Sequence, residues 1–135
     1  MAGTRIGTMK PYKILVMDDN RMIGILMEQI MSRLGYDLTY TTHGGETLEA
    51  YRKAKEKGAP FDIVFLDLVI EGGMGGEETI SRLKELDPDI RAVAFSGYFN
   101  HPVMKDFGSY GFQASLGKPF TLEDILNAVK TLIPH

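Results

Sequence analysis

Five polar side chains close four separate hydrophobic stretches of this chain. Asp18 and Asp19 follow Lys13-Ile14-Leu15-Val16-Met17, and Asp67 follows Phe61-Asp62-Ile63-Val64-Phe65-Leu66. Ser96 follows Arg91-Ala92-Val93-Ala94-Phe95, and Lys118-Pro119 follows the stretch from Phe112 to Gly117. Neighbouring aspartates crowd negative charge, which is unfavourable without a cation, and hard oxygen donors suit Mg²⁺. A carboxylate beside such an ion can act as a nucleophile toward phosphorus, giving an aspartyl phosphate. The ion would neutralise the phosphoryl oxygens and hold the donor in line. Ser96 would hydrogen-bond one of those oxygens, and Lys118 would pair with another as a point charge on a long stem. Each residue also has a plain structural reading: Asp18-Asp19-Asn20 as a helix cap, Asp67 and Ser96 as turn residues, Lys118 as a surface lysine. Their joint placement at four strand ends is what points to chemistry.

Positioning these groups requires the hydrophobic runs to be strands of one parallel sheet. Ligand sites in such sheets lie beyond the strands' carboxyl ends, and their strands are near-continuous apolar runs. The chain alternates strand and helix five times from Lys13 on. The expected strands are Lys13–Met17, Asp37–Thr41, Asp62–Leu66, Ala92–Phe95 and, small and polar, Gln113–Gly117. Helix 1 carries Ile23, Leu26, Met27, Ile30 and Leu34 at helical spacing and stops at Gly35. Helix 2 runs from about Gly45 to Lys57 with Leu48, Tyr51 and Ala54 inward, and helix 3 covers Glu77–Leu86 before Asp87-Pro88 breaks it. Helix 4 begins near His101-Pro102 and carries Val103, Phe107 and Tyr110. Helix 5 starts at an N-cap, Thr121, with Leu122, Ile125, Leu126, Val129 and Leu132 on one face. Right-handed crossovers then place helices on both faces of a doubly wound parallel α/β sheet.

With 135 residues, 44% hydrophobic and 24% charged, the chain reads as one globular domain with a sufficient core. Residues 1–11 read as a flexible leader and 12–135 as the domain. A formal net charge of −3 disfavours nucleic acid or an anionic membrane as partner. No run is long enough to span a membrane, and Met1–Met9 lacks the apolar segment of a signal peptide. Zero cysteines exclude disulfides and thiol chemistry. A cytoplasmic protein is expected.

From about Tyr12 to Ile133 the sequence resembles the receiver domains of two-component response regulators. The matching residues are Val16-Met17-Asp18-Asp19, Leu66-Asp67-Leu68, Phe95-Ser96-Gly97 and Lys118-Pro119-Phe120, in the family's order and spacing. The resemblance implies a flavodoxin-like sheet of strand order 2-1-3-4-5. It implies Asp67 as phosphoacceptor, with Asp19, Asp67 and the Val69 carbonyl on Mg²⁺ and Asp18 acting through water. Ser96 and Lys118 would contact the phosphoryl group, and a cis bond would precede Pro119. The implied function is Mg²⁺-dependent phosphoryl transfer to Asp67 from a histidine kinase or a histidine phosphotransfer domain. The outcome is a switch rather than a turnover enzyme, read by a downstream protein through the helix 4, strand 5 and helix 5 face. The loop Gly72-Gly73-Met74-Gly75-Gly76, with Phe95–Tyr98 and His101–Met104, looks most like receivers attached to hybrid histidine kinases. This loop lacks the Walker lysine and the dinucleotide glycine spacing, and its glycines read as supplying φ > 0 turns.

The chain departs from the family pattern at several positions. Glu71 replaces a common proline, and Ser115 stands where many receivers carry an aromatic lever. Val69 and Tyr98 occupy positions that influence attack by water, so a long-lived aspartyl phosphate is expected. The rival reading is a pseudo-receiver, an interaction module that keeps the fold without phosphorylation. An aspartyl-nucleophile phosphatase would want an aspartate where Val69 stands. His43, His101 and His135 lack metal-ligand spacing, and Tyr98, Phe99, Phe107 and Tyr110 read as partly exposed aromatic residues around helix 4.

Overall fold

The computed structural model describes residues 12–98 and 100–133; the leader expected over residues 1–11, and Phe99, lie outside the described residues. The elements are β1 (Lys13–Met17), α1 (Arg21–Arg33), β2 (Asp37–Thr41), α2 (Gly44–Glu56), β3 (Ile63–Asp67), α3 (Gly76–Leu86), β4 (Ala92–Ser96), α4 (Pro102–Lys105), a 3₁₀ turn (Phe107–Tyr110), β5 (Ala114–Gly117) and α5 (Leu122–Leu132). The five strands form one parallel sheet in the order β2-β1-β3-β4-β5. β1 and β3 are central, so their apolar runs are buried on both faces, with every residue of β3 and β4 buried. Successive side chains alternate between two cores. Leu15, Met17, Val64 and Leu66 pack against Tyr51 of α2 and Ile80 and Leu83 of α3. Ile14, Val16, Ile63, Phe65 and Phe95 pack against Met27 and Met31 of α1 and Ile125 and Val129 of α5.

The expected boundaries agree to within a residue or so, and the differences have local causes. Asp67 and Ser96 are the last residues of β3 and β4 rather than the first of a turn. Gln113 lies just before β5, where its side-chain oxygen accepts from the Ala92 amide at 2.7 Å and its own amide donates to the Ala92 carbonyl at 2.9 Å. The fourth helix is not continuous. Asp106 breaks it at φ −145°, ψ 59°, and its carboxylate accepts from the Ser109 hydroxyl at 2.7 Å to open the 3₁₀ turn, which Gly111 ends at φ 97°. Gly72 alone of the glycine run has a left-handed φ, 72°. The last two glycines serve close approach instead: a Cβ on Gly75 would lie 2.4 Å from the Leu68 carbonyl oxygen, and one on Gly76 2.9 Å from that of Asp67. α3 is thereby seated directly on the carboxyl end of β3.

Two residues expected on core faces are exposed. Leu26 of α1 and Leu122 of α5 join Met22 and Ile25 as large exposed hydrophobic side chains. Helical spacing places them near the apolar face, but the core is already filled by Met27, Met31, Ile125 and Val129. α5 begins at the expected Thr121, in a full capping box: Thr121 Oγ1 accepts from the Asp124 amide at 3.1 Å and the Thr121 amide donates to Asp124 Oδ2 at 2.8 Å. Thr121→Ala should lower stability by about 1 kcal/mol, read as a lower urea midpoint at unchanged slope. An unchanged midpoint would show that α5 holds its start by packing alone.

Candidate functional site

The carboxyl ends of β1, β3, β4 and β5 bring the candidate side chains together, because parallel strands in register end on one edge. Met17 is paired with Leu66, Asp67 with Phe95, and Ser96 with Gly117. The next residues along are Asp18 and Lys118. One carboxylate oxygen from each of Asp18, Asp19 and Asp67 lies within 4.8 Å of the others. Asp18 is fully buried, Asp67 nearly so, and Asp19 is exposed at the mouth. The Lys118 ammonium lies 2.5 Å from Asp18 Oδ2 and 3.3 Å from Asp67 Oδ2, above the Phe95 ring at 4.8 Å from its centroid. The Lys118–Pro119 bond is cis, as expected.

The helix-cap reading of the aspartates has a definite answer. The cap of α1 is Asn20, whose side chain accepts from the Met22 amide at 3.0 Å. Asp18 Oδ1 accepts only from the Asn20 amide, at 2.8 Å, which leaves its other oxygen to Lys118. Asp19 Oδ2 accepts from the Glu71 amide at 3.2 Å, and Asp67 Oδ1 from the Val69 amide at 3.2 Å. Glu71 itself is exposed, so the residue that replaces the family's proline contributes a backbone donor to the pocket wall. Ser96 is buried, its Oγ accepts from the Tyr98 amide at 2.9 Å, and its carbonyl accepts from the Lys118 amide at 2.9 Å. The hydroxyl and the ammonium thus sit on adjacent strands tied to each other through the backbone.

Burial pushes the Asp67 carboxyl up to about 6; the Asp18 carboxylate adds to the shift, while the Lys118 ammonium and the Val69 amide oppose it. Three carboxylates facing one ammonium leave an excess of negative charge in a largely enclosed place. That donor set, all hard oxygens, fits a divalent cation such as Mg²⁺.

Supporting residues outside the expected set also shape the pocket. Tyr40 of β2 donates its hydroxyl to the Asp18 carbonyl at 2.6 Å, and its phenol is shifted upward by burial first and then by Asp18. Thr41 and Thr47 share a buried hydroxyl contact of 2.7 Å beneath the β1 edge. His43 caps α2, its Nδ1 accepting from the Gly45 amide at 3.1 Å. No spacing signal in the sequence marks Tyr40; only the adjacency of β2 to β1 brings it there. Val69 and Tyr98 are 42% and 63% exposed at the rim, Phe107 and Tyr110 pack half-buried against the core, and Ser115 is partly buried in β5.

A five-stranded parallel sheet with an acidic pocket and a lysine at its carboxyl edge defines a doubly wound α/β domain with a candidate cation site. Comparison with known proteins makes it specific. A family model described as the response regulator receiver domain matches residues 14–130. The chain is 30% identical over 122 residues to sporulation initiation phosphotransferase F of Bacillus subtilis (strain 168), covering 90% of this chain and 94% of that protein. It is similar to the solved CheY-like response regulator receiver domain protein of Methanospirillum hungatei JF-1, with TM-score 0.76 and 25% identity over 90% of this chain and 93% of that one. The CheX-CheY-BeF3-Mg+2 complex from Borrelia burgdorferi shares the fold at TM-score 0.81 and 23% identity, covering 92% and 91%. The chain belongs to the response regulator receiver domain family of two-component signalling.

Proposed function

We propose that this receiver takes a phosphoryl group onto Asp67 from a phosphohistidine and thereby switches a partner-binding surface. The observation that carries the reading is the nearly buried Asp67 carboxylate, held by one Val69 hydrogen bond and one lysine contact and otherwise facing the pocket. An Asp67 oxygen attacks phosphorus, the phosphorus–nitrogen bond breaks, and its electron pair returns to the imidazole of the donor. The product is an acyl phosphate on Asp67. Asp19, Asp67 and the Val69 carbonyl would hold Mg²⁺, with Asp18 acting through water. When bound, Mg²⁺ supplies charge neutralisation and in-line orientation of the phosphoryl oxygens. Lys118 would exchange its carboxylate contacts for a phosphoryl oxygen, and the Ser96 hydroxyl would donate to another.

Receiver domains work with histidine kinases or phosphotransfer proteins. A donor protein that brings its phosphohistidine to this mouth must cover residues that immediately follow the site in sequence, among them Met22 and Leu122, whose exposed apolar side chains suit such a contact. The downstream partner would read the face formed by α4, β5 and α5, with the Ser96 loop as the moving part. We place the domain in the cytoplasm, where such kinases present their phosphohistidine; among the described residues no helix is long and apolar enough to cross a membrane. Intact mass after incubation with Mg²⁺ and a small phosphodonor should show one added phosphoryl group that is lost in base. No addition, with a phosphorylated kinase fragment as well, would leave the interaction-module reading.

Val69 and Tyr98 at the rim carry no group that could orient an attacking water through a carboxamide or carboxylate. The aspartyl phosphate should therefore be long-lived, and Val69→Asn should speed its loss roughly fivefold, the effect of about one hydrogen bond to the attacking water. Label decay followed by mass without any phosphatase checks this; wild-type decay faster than that of the variant would reverse the assignment.

A further inference from the structure

We propose that Tyr40 is a positioning residue for the cation site: by fixing the Asp18–Asp19 peptide it sets where the Asp19 carboxylate points. The inference rests on the reading of the acidic pocket as a Mg²⁺ site. Asp18 is the first residue past the end of β1, and its backbone is held from β2 on both sides. Its amide donates to the Thr41 carbonyl at 3.1 Å, and its carbonyl accepts from the Tyr40 hydroxyl at 2.6 Å. The first bond holds the Met17–Asp18 peptide and the second the Asp18–Asp19 peptide, so Tyr40 is the β2 residue that grips the peptide leading into Asp19. The far end of Asp19 is held separately, by the Glu71 amide at 3.2 Å. Asp19 is exposed, so among the described residues these tethers, rather than packing, orient it.

Tyr40 can reach Asp18 because α1 gives way to it. A Cβ on Gly24 would lie 2.6 Å from Tyr40 Cε1 and 2.8 Å from Cζ, a separation real Cβ atoms do not adopt. Gly24 is a buried glycine inside a helix, where glycine is unfavourable by about 1 kcal/mol relative to alanine. The ring fills the space that its missing side chain leaves. The lost helix propensity is accounted for by the seat it makes for a tyrosine whose hydroxyl donates to the carbonyl of a pocket aspartate.

The experiment is a Mg²⁺ titration of the full chain and three variants, read by the Asp18 and Asp19 amide resonances and by the unfolding temperature with and without EDTA. Tyr40→Phe should raise the Mg²⁺ dissociation constant about three- to tenfold, the effect of one hydrogen bond. Gly24→Ala, which displaces the ring by direct contact while leaving Tyr40 itself unchanged, should weaken binding similarly, and the double variant should add little to either. Thr121→Ala serves as a destabilised control and should bind Mg²⁺ like wild type. Wild-type affinity in Tyr40→Phe overturns the proposal, as does equal weakening in Thr121→Ala, which would make the effect one of general stability. No response of the wild type to Mg²⁺ would instead overturn the cation reading beneath it.

Discussion

Asp67→Asn will take up no phosphoryl group, and in metal-free buffer at neutral pH it will be more stable than the wild type. The first result follows because an amide oxygen is far too weak a nucleophile toward phosphorus and no other carboxylate shares the position of Asp67 at the end of β3. The second follows from its environment. The Asp67 carboxyl is raised from 3.8 to about 6 by burial and by Asp18. Between these values the native state keeps a proton that the unfolded chain has released, so stability falls as pH rises through that window and the deficit is complete above it. Asparagine is neutral throughout and can still accept from the Val69 amide. The variant should gain roughly 1–3 kcal/mol at pH 7.5 in EDTA, and the gain should shrink toward zero below about pH 4. Urea unfolding at several pH values measures it. Adding Mg²⁺ should narrow the gap, because the cation stabilises only the wild-type carboxylate fully. A variant less stable than wild type at neutral pH would mean that Lys118 already neutralises Asp67.

The central features of this fold were legible because both of their signals are local. Runs such as Ile63–Leu66 have to be buried on both faces, and a charged residue at the end of such a run has to lie at the sheet edge. Once four runs end this way and helices separate them, Asp18, Asp19, Asp67, Ser96 and Lys118 converge without any knowledge of side-chain packing. The chemical content of the pocket was accessible for the same reason, and the family resemblance rested on those same residues.

What could not be read depends on which surfaces meet. Leu26 and Leu122 satisfy helical periodicity as well as Met27 and Ile125 do, yet only the second pair lies over the sheet. Periodicity locates a face to within a residue or so around the helix, and the edge of that face is settled by neighbouring elements. The break at Asp106 depends on a side-chain bond to Ser109 that competes with the helix. The roles of Gly75 and Gly76 required the carbonyls of Leu68 and Asp67 to be known as neighbours. Tyr40 is the clearest case: a tyrosine in a short, half-exposed edge strand has no local mark of a bond to Asp18.

Lys118→Met tests whether the lysine is a structural counter-charge as well as a contact for phosphoryl oxygen. Methionine keeps an apolar stem of similar length against Phe95 but removes the only ammonium among the described residues that contacts Asp18 and Asp67. The fully buried Asp18 would then face Asp67 with no cation between them. Breaking a buried pair costs about 3–5 kcal/mol; here the Lys118 side chain is 20% exposed, so a loss of roughly 2–3 kcal/mol is expected at pH 7.5 in EDTA. Two conditions should restore much of it. Lowering the pH below about 6 protonates Asp67, whose carboxyl is already raised in the wild type and loses a lowering influence with Lys118, so the like-charge repulsion disappears. Millimolar Mg²⁺ replaces one charge with two and should recover stability in proportion to its binding. The reading therefore predicts a variant whose unfolding midpoint depends more steeply on Mg²⁺ than that of the wild type. A loss of equal size with and without Mg²⁺, and at pH 5 as at pH 7.5, would show that relief of the repulsion between Asp18 and Asp67 is not what Lys118 contributes to the folded state.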